Sequence, residues 1–214
     1  IDTDRLMELA TEGNLLLQIQ KRPGDFVVKG SPLAIAYPEK AVSKKLAEQI
    51  NSAFVVGSQR TDQQDIEFSI NQLVEIASRA LSPGINDPFT TVRCVDQLSA
   101  ALCHLAQKEI PSAYRYDDRD KLRVIAEPLS FVDAIDAAFN QIRQYGQTSV
   151  AVTMRLLEAI TVIAPFTHTK AARAALLRHA NMIERGSHEG ISEELDQKDV
   201  KERYLAAVKA IEQQ

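Results

Sequence analysis

Arg60, Asp65, Gln72, Arg79, Asn86 and Asp87 are the residues whose types and spacing could support chemistry in this chain. They fall in two linked stretches, Arg60-Thr61-x-x-Gln64-Asp65 and the run from Arg79 to Pro88 that contains Ser82-Pro83-Gly84-Ile85-Asn86-Asp87. Two carboxylates and two guanidinium groups could perform acid–base work if a cleft shifted one carboxyl pKa toward neutrality. Alternatively, the free N–H groups of a helix starting at Pro88 could hold an anion, with Arg60 or Arg79 adding charge. The carboxylate of Asp87 would repel that anion. A cation held by Asp65, Asp87 and the Asn86 oxygen can equally be drawn. The plain alternative is helix capping and hydrogen bonding between helices.

Two helices must position these groups. Thr61 and Gln64 fit a capping box, and a helix is predicted over 62–81. Its apolar face carries Ile66, Ile70, Leu73, Val74, Ala77 and Leu81 at helical spacing. Asp65, Gln72 and Arg79 recur every seven residues. Each lags the last by about 20°, so the three share one polar stripe nearly opposite that face. Phe68 and Ile76 flank the stripe, which points to an interface, a lined cleft or interhelical bonds. Pro83 and Gly84 stop the helix. Asp87 is a good N-cap and Pro88 a good first residue for the next helix, which reaches Lys108 and buries Val92, Val95, Leu98, Leu102 and Leu105.

The remaining elements divide the chain into a β-rich module over 1–57 and an α-helical domain over 58–214. In the module, a short helix over 4–11 precedes three strand candidates, Leu15–Ile19, Phe26–Val28 and Leu33–Tyr37. Turns at Pro23-Gly24-Asp25 and Lys29-Gly30-Ser31-Pro32 separate them. Residues 43–54 are helical. The run Pro23–Leu33 resembles the turn region of biotinyl/lipoyl-like barrels, with Phe26, Val28 and Leu33 facing inward. It lacks the exposed lysine hairpin of a carrier, so a structural β-module, barrel-sandwich-like in its half, is the reading. Downstream, 113–120 reads as a polar loop and Leu122–Ala126 as a short strand or helical turn. Ser130 and Asp133 cap a helix ending near Tyr145, with Gly146 just past its end. Further helices span 149–164, 168–185 and 200–212. The stretch 186–196 reads as a polar linker, with Glu193, Glu194 and Asp196 a solvated charge run. The fold class is α+β.

Composition narrows the function classes. Hydrophobic residues make up 45% of the 214 residues, with no Trp and 6% aromatics, which suits an aliphatic helical core. A net charge of −4 without a basic stripe argues against nucleic acid as a partner. Cys94 and Cys103 lie on opposite sides of one helix and cannot pair. His104, His168, His179 and His188 show no metal-ligand spacing, so no metal is expected. Ser82 lacks a nucleophile-elbow context, and Lys29-Gly30-Ser31 lacks the upstream glycine of a phosphate loop. No cofactor is implied. The apolar stretch 150–164 is interrupted by Arg155 and Glu158 and falls short of the roughly 20 residues that span a bilayer. A start at Ile1 reads as a piece of a longer protein.

The run from Gly57 to Thr91, with its R-T-x-x-Q-D and R-A-L-S-P-G-I-N-D-P motifs, resembles a bacterial family of uncharacterised membrane proteins. Ile1-Asp2-Thr3-Asp4-Arg5-Leu6 and Pro23–Leu33 are also similar to it. Ser69 departs from the expected glycine. The resemblance implies a transmembrane region before Ile1, with this chain as a C-terminal soluble domain on the cytoplasmic side of the inner membrane. It supplies no activity, substrate or catalytic residue. Three functions stay open: a regulatory or assembly domain that self-associates, with a transport- or channel-related role compatible; an enzyme or ligand sensor built around the joint; and a plain helical interaction module.

Overall fold

The computed structural model describes residues 1–213. It is mixed α and β, in keeping with the expected class, and divides into two units. Unit 1 comprises residues 1–68 and 110–129, and unit 2 comprises 69–109 and 130 onward. These bounds differ from a break after residue 57. Segment 110–129 belongs to the first unit because its strands pair with a strand near the chain start, a partner that no local pattern reveals.

Unit 1 opens with α1 (Thr3–Glu12), where the Asp2 side chain caps by accepting from the Arg5 amide at 3.0 Å. Its strands are β1 (Leu16–Ile19), β2 (Ala34–Tyr37), β3 (Tyr114–Tyr116) and β4 (Leu122–Ile125), and α2 (Lys44–Ser52) is capped by Ser43. The sheet order is β2-β1-β4-β3. β1 runs antiparallel to β2 and parallel to β4, with Leu17 opposite Val124. Leu6, Leu9, Leu15, Leu17, Ile50, Phe54 and Val124 form its core. Burial of these apolar side chains, not strand propensity, holds so short a sheet together.

Two expectations fail here. Phe26–Val28 is not a strand, and Phe26 and Val28 face outward instead of into a core. Gly24 and Gly30 do take left-handed backbone, at φ +89° and +93°. Turning the chain at both ends leaves the residues between them no ladder partner. β1–β2 pairing ends beyond the strands at Gln20 N–H donating to Leu33 O at 2.8 Å. The expected loop at 113–120 instead contains β3, whose pairing with β4 is closed by a tight turn at Asp117–Asp120.

Unit 2 holds α4 (Pro88–Ala106), α5 (Phe131–Gly146), α6 (Val150–Ile163), α7 (Lys170–Gly190) and α8 (Glu194–Glu212), together with most of α3 (Ile66–Ala80). α6 is central and packs against α4, α5, α7 and α8. Its high apolar content follows from that placement, since a helix enclosed on most sides has little use for a polar face. Val95, Leu98, Leu102, Ile135, Phe139, Leu156, Leu157, Ile160 and Leu176 are fully buried or nearly so. The capping box of Ser130 and Asp133 is present with both of its hydrogen bonds.

Four helix boundaries move. Helix α3 starts at Ile66 and not at 62, and Gly146 is the last residue of α5 instead of lying past it. α7 continues through Gly186 to Gly190, and α8 begins at Glu194, so the expected 186–196 linker is mostly helix. Gly186 keeps helical backbone, and buried Ser187 follows it on the packed face. Glu193 then caps α8, and Glu194 and Asp196 sit in its first turn, where the positive end of the helix dipole favours carboxylates.

Candidate functional site

Arg60 and Asp65 meet in unit 1. Arg60 Nε donates to Asp65 Oδ2 at 2.7 Å, and its Nη2 donates to Oδ1 at 2.9 Å. This bidentate geometry matches the fork of the guanidinium to the carboxylate. Asp65 is 5% exposed, and its Oδ1 also accepts the Phe68 amide at 3.0 Å, so it caps α3. That cap displaces the expected Thr61 box. Gln64 instead donates to the Ile1 carbonyl at 3.2 Å. The Arg60 guanidinium lies 5.6 Å from the Phe68 ring centroid, and its pKa is raised by the hydrogen bond to Asp65. Gly24 completes the cluster, because a Cβ there would fall 1.9 Å from Asp65 Oδ2. Carboxylate and guanidinium neutralise each other, and neither is left as a free acid or base.

The other candidates lie in unit 2 and are not drawn into one cluster. Gln72 is exposed. Arg79 is exposed and paired with Glu75 one helical turn away. A pair so open to water has little energetic weight. Asn86 is exposed with left-handed backbone at φ +48°, which an Asn tolerates better than most residues. Asp87 caps α4, as expected. It accepts the Thr90 amide at 3.1 Å and the Thr90 hydroxyl at 2.6 Å, and these bonds hold its carboxyl below the usual range. The joint itself is closed by backbone bonds, with Asn86 N–H donating to Ser82 O at 2.9 Å and Asp87 N–H to Ala80 O at 2.8 Å.

Ionic clusters in both units escape the sequence patterns. In unit 1, Arg123 Nε donates to Asp117 Oδ2 at 2.7 Å, and both side chains are almost wholly buried. Asp117 also accepts the amides of Arg119 and Lys121, and Arg123 donates to Asn14 Oδ1 at 3.0 Å. The Lys121 amide and then the Arg123 guanidinium hold the Asp117 carboxyl down to about 2. A carboxyl depressed below its unfolded value near 3.8 stabilises the fold above that value, and the contribution is lost as pH falls toward 2. We expect the urea midpoint of the chain to drop between about pH 5 and pH 2, and Asp117→Asn to flatten that part of the profile. An unchanged slope in the variant would assign the acid sensitivity elsewhere. In unit 2, buried His179 bonds Asp136, a pairing across α5 and α7 that spacing does not disclose.

Each unit also carries a surface cavity. One of about 400 Å³ in unit 2 is lined by Glu75, Ser78, Arg79, Ser82, Gln141 and Tyr145, and the Ser78 hydroxyl is buried without a hydrogen-bond partner. Another of about 460 Å³ in unit 1 is lined by Gln18, Lys21, Arg22, Asp25, Arg115 and Glu127, among others. Among the described residues, no three His, Cys, Asp or Glu side chains are grouped to hold a metal ion. Among them too, no helix is long and apolar enough to cross a membrane. The chemistry within reach of these arrangements is ion pairing, capping and surface recognition.

Comparison with known proteins agrees with the motif resemblance. An uncharacterized protein of Mycobacterium bovis and another of Mycobacterium tuberculosis are each 28% identical over 216 aligned residues, covering 99% of this chain. The chain spans 42% of the length of each of these relatives. No solved structure matches. A family model described as "Predicted membrane protein (DUF2254)" matches residues 1–162. Most of the chain, including the Arg60–Asp65 pair and the Asn86–Asp87 joint, therefore belongs to that membrane-protein family.

Proposed function

We propose that this chain is a regulatory and assembly portion of a bacterial integral membrane protein, held on the cytoplasmic side and self-associating through unit 2. Membership of the membrane-protein family supports the first part. The observation that carries the assembly reading is the apolar exposure of the joint, where Ile85 is 62% and Phe89 76% exposed. Backbone hydrogen bonds close this joint, so the two side chains are held outward on a rigid support. An exposed aromatic and a β-branched side chain on a fixed surface are what a self-complementary contact needs at its centre. Gln72, Arg79 and Asn86, all exposed, would serve as polar rim.

Analytical ultracentrifugation over a concentration series tests this. The chain is expected to self-associate, and the Ile85→Ser/Phe89→Ser double variant to remain a monomer at concentrations where the parent does not. A parent chain that stays monomeric at roughly 0.1 mM would overturn the reading, since that bounds any association below about 5 kcal/mol. A ligand sensor is the second reading, favoured by the unpartnered Ser78 hydroxyl beside the unit 2 cavity. A thermal-shift screen with nucleotides, phosphates and common metabolites separates the two. A shift abolished by Arg79→Ala and kept by Ile85→Ser/Phe89→Ser would favour sensing.

A further inference from the structure

Phe26 is 86% exposed, more than any other aromatic side chain among the described residues, and Val28 is 61% exposed two positions on. Both sit on residues 21–32, which join β1 to β2. This hairpin is ordered by its own bonds. Asp25 N–H donates to Arg22 O at 3.1 Å, and Asp25 Oδ2 accepts the Arg22 amide at 2.8 Å. At the second turn, Ser31 N–H donates to Val28 O at 2.9 Å, and the Val28 amide donates to Ser31 Oγ at 3.1 Å. Gly24 presses on the buried carboxylate of Asp65 and braces the foot of the hairpin. Phe26 and Val28 are thus held out in water by a supported loop, although the chain has an apolar core in which such residues would otherwise be placed.

Charge identifies what covers them. Lys21 and Lys29 outnumber the single carboxylate of Asp25 within this hairpin, in a chain whose net charge is −4. Lys29 is exposed beside Val28. Lys21 and Arg22 line the unit 1 cavity with Arg115, where Asp25 and Glu127 are the opposing charges. A second copy of the chain in a two-fold contact would bring this cationic tip against itself, which like-charge repulsion disfavours. An anionic lipid surface satisfies both features, since apolar side chains flanked by cations anchor at the headgroup–acyl boundary.

We propose that the 21–32 hairpin docks on an anionic bilayer surface, with Phe26 and Val28 entering the interface and Lys21 and Lys29 meeting lipid phosphates. This rests on membership of the membrane-protein family and is independent of self-association through Ile85 and Phe89.

Co-sedimentation of the chain with vesicles is the test, using phosphatidylcholine alone and phosphatidylcholine with about 30% phosphatidylglycerol. The chain should partition onto the anionic vesicles and much less onto the neutral ones, and binding should weaken at about 0.5 M salt. Phe26→Ser/Val28→Ser should lower the partition coefficient about tenfold, and Lys21→Gln/Lys29→Gln roughly fivefold per lysine. All four positions are on the surface loop, and an unchanged melting temperature establishes that each variant is folded. Absence of binding to anionic vesicles at millimolar lipid would overturn the proposal. So would parental binding by the Phe26→Ser/Val28→Ser variant. If that variant instead lost self-association while vesicle binding stayed intact, the tip would be a contact between copies and the proposal would be wrong. Ile85→Ser/Phe89→Ser should bind vesicles as the parent does, which keeps this result separate from the assembly test.

Discussion

Gly24→Ala is expected to destabilise unit 1 by about 3 kcal/mol, and Asp65→Ala by a similar amount. The alanine methyl would meet two obstacles. Its backbone would sit at φ +89°, and its Cβ would fall 1.9 Å from Asp65 Oδ2. A left-handed non-glycine residue costs about 1–2 kcal/mol, and moving a buried carboxylate off its guanidinium and its capped amide adds to this. Asp65→Ala removes the same pair and the same cap. Its cost stays moderate because the Arg60 side chain is 35% exposed and can turn to water instead of remaining as a buried charge. The two substitutions should be strongly non-additive. In the Gly24→Ala/Asp65→Ala double variant the methyl no longer collides with the carboxylate, so the total should fall roughly 1–2 kcal/mol short of the sum. Urea unfolding of the parent, both single variants and the double variant gives the cycle. Additive costs would mean that Gly24 and Asp65 do not form one support.

That support shows where sequence reasoning succeeds and stops in this chain. Features written within four residues are legible. Asp87 ahead of Pro88 and Ser130 with Asp133 both cap as their spacing states. The resemblance carried by the Arg60–Asp65 and Arg79–Pro88 motifs is equally legible, because a long motif is specific without any knowledge of its contacts. Asp65 is the instructive failure. Helical periodicity places it on a stripe with Gln72 and Arg79, whereas the chain starts α3 one residue later and spends Asp65 on Arg60 and Phe68. Two capping patterns competed there, and the one with a second, ionic partner won. β4 falls within 122–126, which the sequence reads as a short strand or helical turn, but β3 and the place of β4 in the sheet are not legible, for another reason. β4 pairs with β1, far away in the chain, and three- or four-residue strands carry too little periodicity to stand out.

The polar joint gains a different meaning from its geometry. Sequence alone makes Asn86 and Asp87 look like ligands, because oxygen-bearing side chains beside a helix start can hold an ion. In the structure the Asp87 oxygens are turned onto Thr90, and Asn86 supplies a left-handed backbone that lets Asp87 N–H reach back to Ala80. These residues build a stiff corner. What the corner presents is Ile85 and Phe89, two side chains that a search for chemistry passes over. Stiffness matters for that presentation, since an apolar contact made by a preorganised surface loses less side-chain and loop entropy on association.

His179→Ala is expected to cost unit 2 about 2–4 kcal/mol and to change its response to acid. The ring is fully buried, and its Nε2 donates to Asp136 Oδ1 at 2.6 Å, an oxygen that also accepts from Arg178 Nη2 at 2.6 Å. Phe139 meets the ring edge-on with centroids 5.9 Å apart. Burial alone would raise the Asp136 carboxyl, but the bonds from His179 and Arg178 outweigh it and leave the group lowered. For His179 burial wins. It holds the imidazole below its ordinary value near 6.5 against the pull of Asp136, and Arg178 and Arg143 push the same way as burial. The folded protein therefore keeps His179 neutral where the unfolded chain takes up a proton. Its contribution is complete above about pH 6.5 and declines as pH falls through the lowered folded value. Urea midpoints of the parent between about pH 8 and pH 5 should fall with acid, while those of His179→Ala, already low, should vary less over that window. His179→Phe separates packing from titration. It should recover part of the lost stability by filling the site, yet show the same flat profile, because it leaves Asp136 with Arg178 and removes the titrating ring. If the parent and His179→Phe shared one slope, the acid response of unit 2 would belong to another group.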